Sequence, residues 1–139
     1  DVYERLLLTW LIEDTRLFDS IKGWITEEDF TEPLYRKAAQ ELFTQYGESG
    51  QVNPAKIISR FQEEEEQKEI AGLFNAKIHE VETKQDKEKA LKETIERIKE
   101  NSIDVRSRQS DPNDLTVVMQ LINEQKELEK LKKTHISID

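Results

Sequence analysis

The sequence predicts an all-α fold: a compact bundle of about six short helices, followed by a long helix and a C-terminal helical hairpin. Three observations carry that expectation. Only 4 Gly and 3 Pro occur in 139 residues, too few for a turn-rich β architecture or a glycine-rich phosphate cradle. Apolar residues recur at three- and four-residue spacing along most of the chain. Charged residues make up 37% against 35% hydrophobic, so the core is lean and the helix surfaces are heavily charged.

Taken in order, residues 3–13 bring Leu7, Trp10 and Leu11 onto one face, with Tyr3 and Leu6 adjoining. Asp14 and Thr15 offer a cap for a short helix carrying Leu17, Phe18 and Ile21, which Gly23 ends. Thr26 and Asp29 have the spacing of a capping box. Pro33 opens a helix bearing Leu34, Tyr35, Ala38, Leu42, Phe43 and Tyr46, expected to stop at Gly47, with a turn from Gly47 to Gly50. Asn53 and Pro54 give a cap and a first-turn proline for a short helix with Ile57, Ile58 and Phe61. The acidic run Glu63–Glu66 suits the positive end of the next helix, whose buried face is Ile70, Leu73, Phe74 and Ile78.

After a polar joint at Thr83, residues 84–108 contain neither Gly nor Pro and predict one helix of about 37 Å at 1.5 Å per residue. Its stripe is Leu91, Ile95, Ile98 and Val105, with polar Ser102 at the intervening position. Asp111, Pro112 and Asp114 are a helix-start signal, with Asp111 as cap. The last helix carries Leu115, Val118, Met119 and Ile122 on one face, then Leu121, Leu128 and Leu131. Two long helices joined by a short turn make an αα-hairpin.

The charge divides the same way. Residues 1–82 hold 18 acidic and 9 basic side chains, whereas residues 83–139 hold 12 of each. All ten aromatics lie between Tyr3 and Phe74. Residues 1–82 are therefore expected to form the globular helical subdomain, and residues 83–139 the long helix plus hairpin.

Little catalytic chemistry is on offer, and no catalytic residue is assigned. The chain has no Cys, which excludes a disulfide scaffold, a thiolate zinc site and a thiol nucleophile. His79 and His135, the 2 histidines, sit on different elements without a metal-binding spacing partner, so they read as surface histidines. Glu63–Glu66 reads as a solvated first turn rather than a cation site. Arg97, Lys99, Arg106 and Arg108 form a modest basic cluster diluted by Glu96, Glu100 and Asp104, and it reads as a solvated helix face. With a formal net charge of −9, nucleic-acid binding is disfavoured as the main task. No apolar run approaches the roughly 18 residues of a membrane span. The hairpin's stripe exceeds what a small body can cover, and exposed apolar surface marks a partner site. From the residues alone, the chain reads as a protein–protein adaptor.

The opening YERLLLTWLIED, the stretch from Phe30 through LYRKAAQELFTQYGESGQVNPAKIISRF, and the ending LINEQKELEKLKK resemble the C-terminal helicase-binding domain of bacterial DNA primase, the DnaG type. That resemblance implies a non-catalytic domain that binds the replicative DNA helicase, a hexamer of the DnaB type, and modulates its activity. It would couple RNA primer synthesis by the parent nucleotidyltransferase to fork unwinding in the bacterial cytoplasm. It also implies a monomeric fragment with no cofactor of its own, zinc and magnesium belonging to upstream domains of such a parent. Nucleic acid would be met only through those other domains, and no membrane is involved. A start at Asp1 rather than Met fits such a piece. The helicase-contacting positions carried over are Leu115, Val118, Met119, Ile122, Leu128 and Leu131. The N-terminal domain of the replicative helicase is also similar, including the Gly50-x-x-x-Pro54 step; the Lys-rich ending favours the primase domain. A regulatory coiled-coil dimer through residues 84–134 is the reading from a different class.

Overall fold

The structure, a computed structural model, describes residues 1–76 and 83–138. Among them every regular element is helical. In chain order they are α1 (Val2–Glu13), α2 (Leu17–Ile21), a 3-10 turn (Glu27–Asp29), α3 (Pro33–Ser49), α4 (Pro54–Ile58), α5 (Glu64–Asn75), α6 (Lys84–Gln109) and α7 (Leu115–Lys132). The expected face of α5 at Ile78, and His79 beside it, lie outside the described residues.

Local chemistry explains most of the boundaries. The Asp1 carboxylate accepts the amides of Tyr3 and Glu4 and starts α1. The Thr26–Asp29 capping box forms as expected, around a single 3-10 turn. Asn53 accepts the Lys56 amide at 3.2 Å, and Thr83 the Asp86 amide at 3.0 Å. Each satisfies an amide that the first helical turn leaves without an internal partner.

Three boundaries differ from expectation. Helix α3 continues through Gly47 and ends at Gly50, which adopts φ +70° and donates its amide to the Tyr46 carbonyl. The extra turn is held by local contacts: the Ser49 hydroxyl donates to the Gln45 carbonyl at 3.2 Å and accepts the Gln51 amide at 3.2 Å, and once the chain has turned at Gly50 the Gln45 side chain accepts the Asn53 amide at 2.7 Å. Helix α2 begins after Arg16 without a side-chain cap, because the Asp14 carboxylate binds the Arg16 amide and guanidinium instead. Helix α7 begins at Leu115, with Asp114 as its cap accepting the Val117 amide. Asp111 closes the preceding turn, its side chain on the Asn113 amide and its carbonyl on the Asp114 amide.

One buried apolar cluster runs through the whole molecule. It includes Leu7, Leu8 and Leu11 of α1, Phe18 of α2, Leu42 of α3, Ile70 of α5, Leu91, Ile95 and Ile98 of α6, and Leu128 and Leu131 of α7. Helix α6 lies along α1 on one side and α7 on the other, so the long helix is a wall shared by the aromatic-rich body and the hairpin. Phe18 packs edge-on to Phe43 and face-to-face with Tyr46. Phe43 itself is only partly buried.

A buried carboxylate supplies the cap that α3 lacks. Glu32 makes no side-chain cap, and Pro33 has no amide to donate. Glu4, fully buried on α1, accepts the amides of Thr31 and Glu32, both at 3.1 Å, and the Thr31 hydroxyl at 2.9 Å. The negative charge lies at the positive end of the α3 dipole.

Candidate protein-docking face

The six hairpin positions divide by helical phase. Val117, Leu121, Glu124, Leu128 and Leu131 of α7 recur at four and three residues and point inward. Leu128 is 2% exposed and Leu131 1%. Both are core residues of the free chain, whichever partner it meets. Leu115, Met119 and Ile122 form the opposite stripe and are 74%, 58% and 44% exposed. Val118 lies between the two stripes and is half-buried. Apart from Val2, these three are the large hydrophobics left exposed among the described residues.

The segment around them is uncharged: Leu115 through Asn123 contains no Asp, Glu, Lys or Arg. Leu115 and Met119 line a shallow open groove with Thr116, Gln120 and Asn123, and Glu124 and Glu127 close its far end. An apolar stripe edged by neutral amides is suited to a protein surface, since a contact confined to Leu115–Asn123 desolvates no full charge.

Beneath it, four charged side chains fix where α7 sits. Lys99 reaches Asp29 at 3.0 Å and Glu124 at 3.1 Å. Arg106 grips Glu124 with two nitrogens, at 2.6 and 2.7 Å, and touches Asp29 at 3.4 Å. The buried Ser102 hydroxyl donates to Asp29 at 3.1 Å. Burial alone would raise the Glu124 pKa, but the hydrogen bonds from Arg106 and Lys99 outweigh it and hold the carboxyl below its usual range. The 3-10 turn, α6 and α7 are thereby joined at one point.

This network corrects the expectation for the basic cluster. Lys99 and Arg106 belong to an internal ion network, not a solvated face, and Arg108 pairs with Asp104 at 3.0 Å. Arg97 is exposed. The available signal was Ser102, a polar residue in phase with the α6 apolar stripe, since a hydroxyl at a core position requires a buried partner. Of the other candidates, the Glu63–Glu66 run sits on the outer start of α5, where Glu64 meets Lys68 at 3.7 Å. His135 approaches Glu88 at 3.3 Å. Among the described residues no group of three or more metal-ligating side chains converges, and no helix is long and apolar enough to cross a membrane.

Comparison with protein-family models, curated proteins and solved structures returned no match to this chain.

Proposed function

We propose that this chain is a non-catalytic docking domain that binds the replicative DNA helicase of a bacterium through the outer stripe of α7 and modulates its activity, as the resemblance to the primase C-terminal domain implies. One observation carries the reading: the exposed stripe Leu115–Met119–Ile122 on an uncharged helical segment, anchored from behind by the ion network. Surfaces of monomeric proteins rarely leave a contiguous apolar stripe without a partner. The helical order, with a body followed by a long helix and a hairpin, supports the same reading. The docking residues are then Leu115, Met119 and Ile122, flanked by Val118; Leu128 and Leu131 hold the helix in place and make no contact with the partner.

The test is capture of a bacterial hexameric replicative helicase by the immobilised chain, beside a Met119→Asp/Ile122→Asp variant. Burying a carboxylate in an apolar contact is unfavourable, so binding should weaken at least about tenfold, or about 1.4 kcal/mol. Retention of full affinity by the double variant would place the contact elsewhere. Sedimentation of the free chain separates the coiled-coil alternative, which requires a constitutive dimer.

A further inference from the structure

Beyond α7 the chain does not fray. Thr134 ends the helix by donating its hydroxyl to the Lys130 carbonyl at 2.7 Å, and the chain then runs without regular structure to Ile138. Along it, exposed and covered residues alternate: His135 out, Ile136 buried at 3% exposure, Ser137 out, Ile138 half-buried. This is the alternation of an extended strand. Helices α2 and α6 grip its backbone from two sides. The Ser20 hydroxyl of α2 donates to the Ser137 carbonyl at 2.6 Å. The largely buried Glu88 of α6 accepts the Ile138 amide at 3.0 Å on one carboxylate oxygen and faces the His135 imidazole at 3.3 Å with the other.

We propose that Thr134–Ile138 is a displaceable strap seated in a peptide-recognition groove between α2 and the first turns of α6, and that this groove accepts in trans an extended partner segment with the same apolar-x-apolar pattern. The recognition chemistry belongs to α2 and α6. Ser20 and Glu88 read main-chain groups that any peptide carries, and the sites under Ile136 and Ile138 read alternate side chains. That division, affinity from backbone bonds and specificity from alternate pockets, is how extended peptides are captured. The strap lies at the far end of the hairpin from Leu115, so the groove is independent of the α7 docking stripe.

The test measures fluorescence anisotropy of a labelled synthetic peptide carrying residues 133–139 against the full chain and against its Ile136→Asp variant, whose own strap is disabled. A tethered ligand competes at millimolar effective concentration, so the peptide should bind the variant at least about tenfold more tightly than the wild type. Adding Ser20→Ala should weaken that binding, and a peptide with Asp at both isoleucine positions should not bind. Equal affinity for the two chains, or no binding to a variant that keeps its helical circular dichroism, would overturn the proposal. If Ile136→Asp unfolds the chain, hydrogen exchange on the wild type decides. The Ile138 amide should exchange by local opening, faster than the Ile95 amide, and faster still with excess peptide. Exchange of Ile138 only through global unfolding would equally overturn it.

Discussion

The two halves of α7 reverse the usual relation between composition and burial. Leu115–Asn123 carries no charged side chain, whereas residues 124–132 carry six. Yet the uncharged half holds the exposed hydrophobics, and the charged half holds the buried leucines. Helical phase and the position of α6 account for this. In the second half the leucines fall on the inward stripe and the charges on the outward one. In the first half both stripes are apolar, and α6 covers only one. A stripe that folding does not require to be apolar, and that is apolar nonetheless, is the feature that calls for a functional explanation.

The comparison breaks most visibly at Leu128. Leu128→Ala removes side-chain volume from the shared core and should cost about 2–5 kcal/mol in denaturant unfolding, a large part of a small domain's stability. An effect below about 0.5 kcal/mol, the level of an ordinary surface substitution, would mean that the second half of α7 is not core. The same burial bears on separability. Leu128, Leu131 and Ile136 all belong to the common cluster, so deleting α7 entire removes core as well as the exposed stripe. The independent part of the hairpin is its first half alone.

Glu124 sits where the halves meet, and its removal comes next. Glu124→Ala leaves Lys99 and Arg106 with Asp29 as the carboxylate still paired to them among the described residues. The group is partly exposed, so the loss should lie between that of a surface pair and a buried one, about 1–3 kcal/mol. The pH dependence has a definite sign. Since the folded chain holds the Glu124 carboxyl below the ordinary 4.5, the unfolded chain takes up its proton first as the solution is acidified. The stabilisation is complete above about pH 4.5 and is lost as pH falls through the folded value. Glu124→Gln should therefore flatten the acid limb of the stability curve, and an unchanged slope would remove Glu124 from the network.

How much of this was legible in the sequence depends on the range of the interaction. Thr26 with Asp29, Asn53 with Pro54, and the Leu91–Ile95–Ile98 stripe lie within a few residues of their partners, and their chemistry could be read directly. Ser102 announced a buried partner without saying which; Asp29 is 73 positions away. Glu4 follows the phase of Leu7, Leu8 and Leu11, so its burial could have been read, but its role as the cap of α3 lies 28 residues distant. The stop at Gly50 rather than Gly47 goes with the Ser49 bonds to Gln45 and Gln51 and with the Asn53 amide on Gln45, the last two made only after the chain has turned. In α7 the apolar residues are legible, but apolar identity alone does not give phase relative to a neighbouring helix, so the inward Leu128 and Leu131 are not told apart from the exposed Leu115, Met119 and Ile122. The strap had no signal: five residues show a period of two too briefly to distinguish a seated strand from a tail.

A smaller effect is expected at the start of the exposed half. Asp114 accepts the Val117 amide at 3.3 Å, and Asp114→Ala should cost about 1 kcal/mol, as for a typical lost N-cap. The fraying should be local. Amides of the first turn should lose hydrogen-exchange protection while those near Leu128 keep theirs, because the second half is held by core burial. Uniform loss along α7 would show that the halves fold as one unit.

The smallest effect on stability is the one that most sharpens the contrast. Met119 projects into solvent, so Met119→Asp removes little buried area and strands no partner. Its position, five residues into the helix, is past the first turn where the dipole would favour an added acid. Unfolding free energy should change by no more than about 0.5 kcal/mol, as for an ordinary surface substitution. Leu128→Asp, nine residues on along the same helix, should abolish cooperative folding, since it would place a carboxylate among buried leucines. One chemical change at two phases of one helix would thus separate the stripe that builds the fold from the stripe that the fold leaves exposed. If Met119→Asp also lowered stability by several kcal/mol, Met119 would be covered in solution. A concentration-dependent melting temperature in the wild type would then identify the cover as a second copy of the chain, and the outer stripe would be a dimer interface rather than a surface awaiting a helicase.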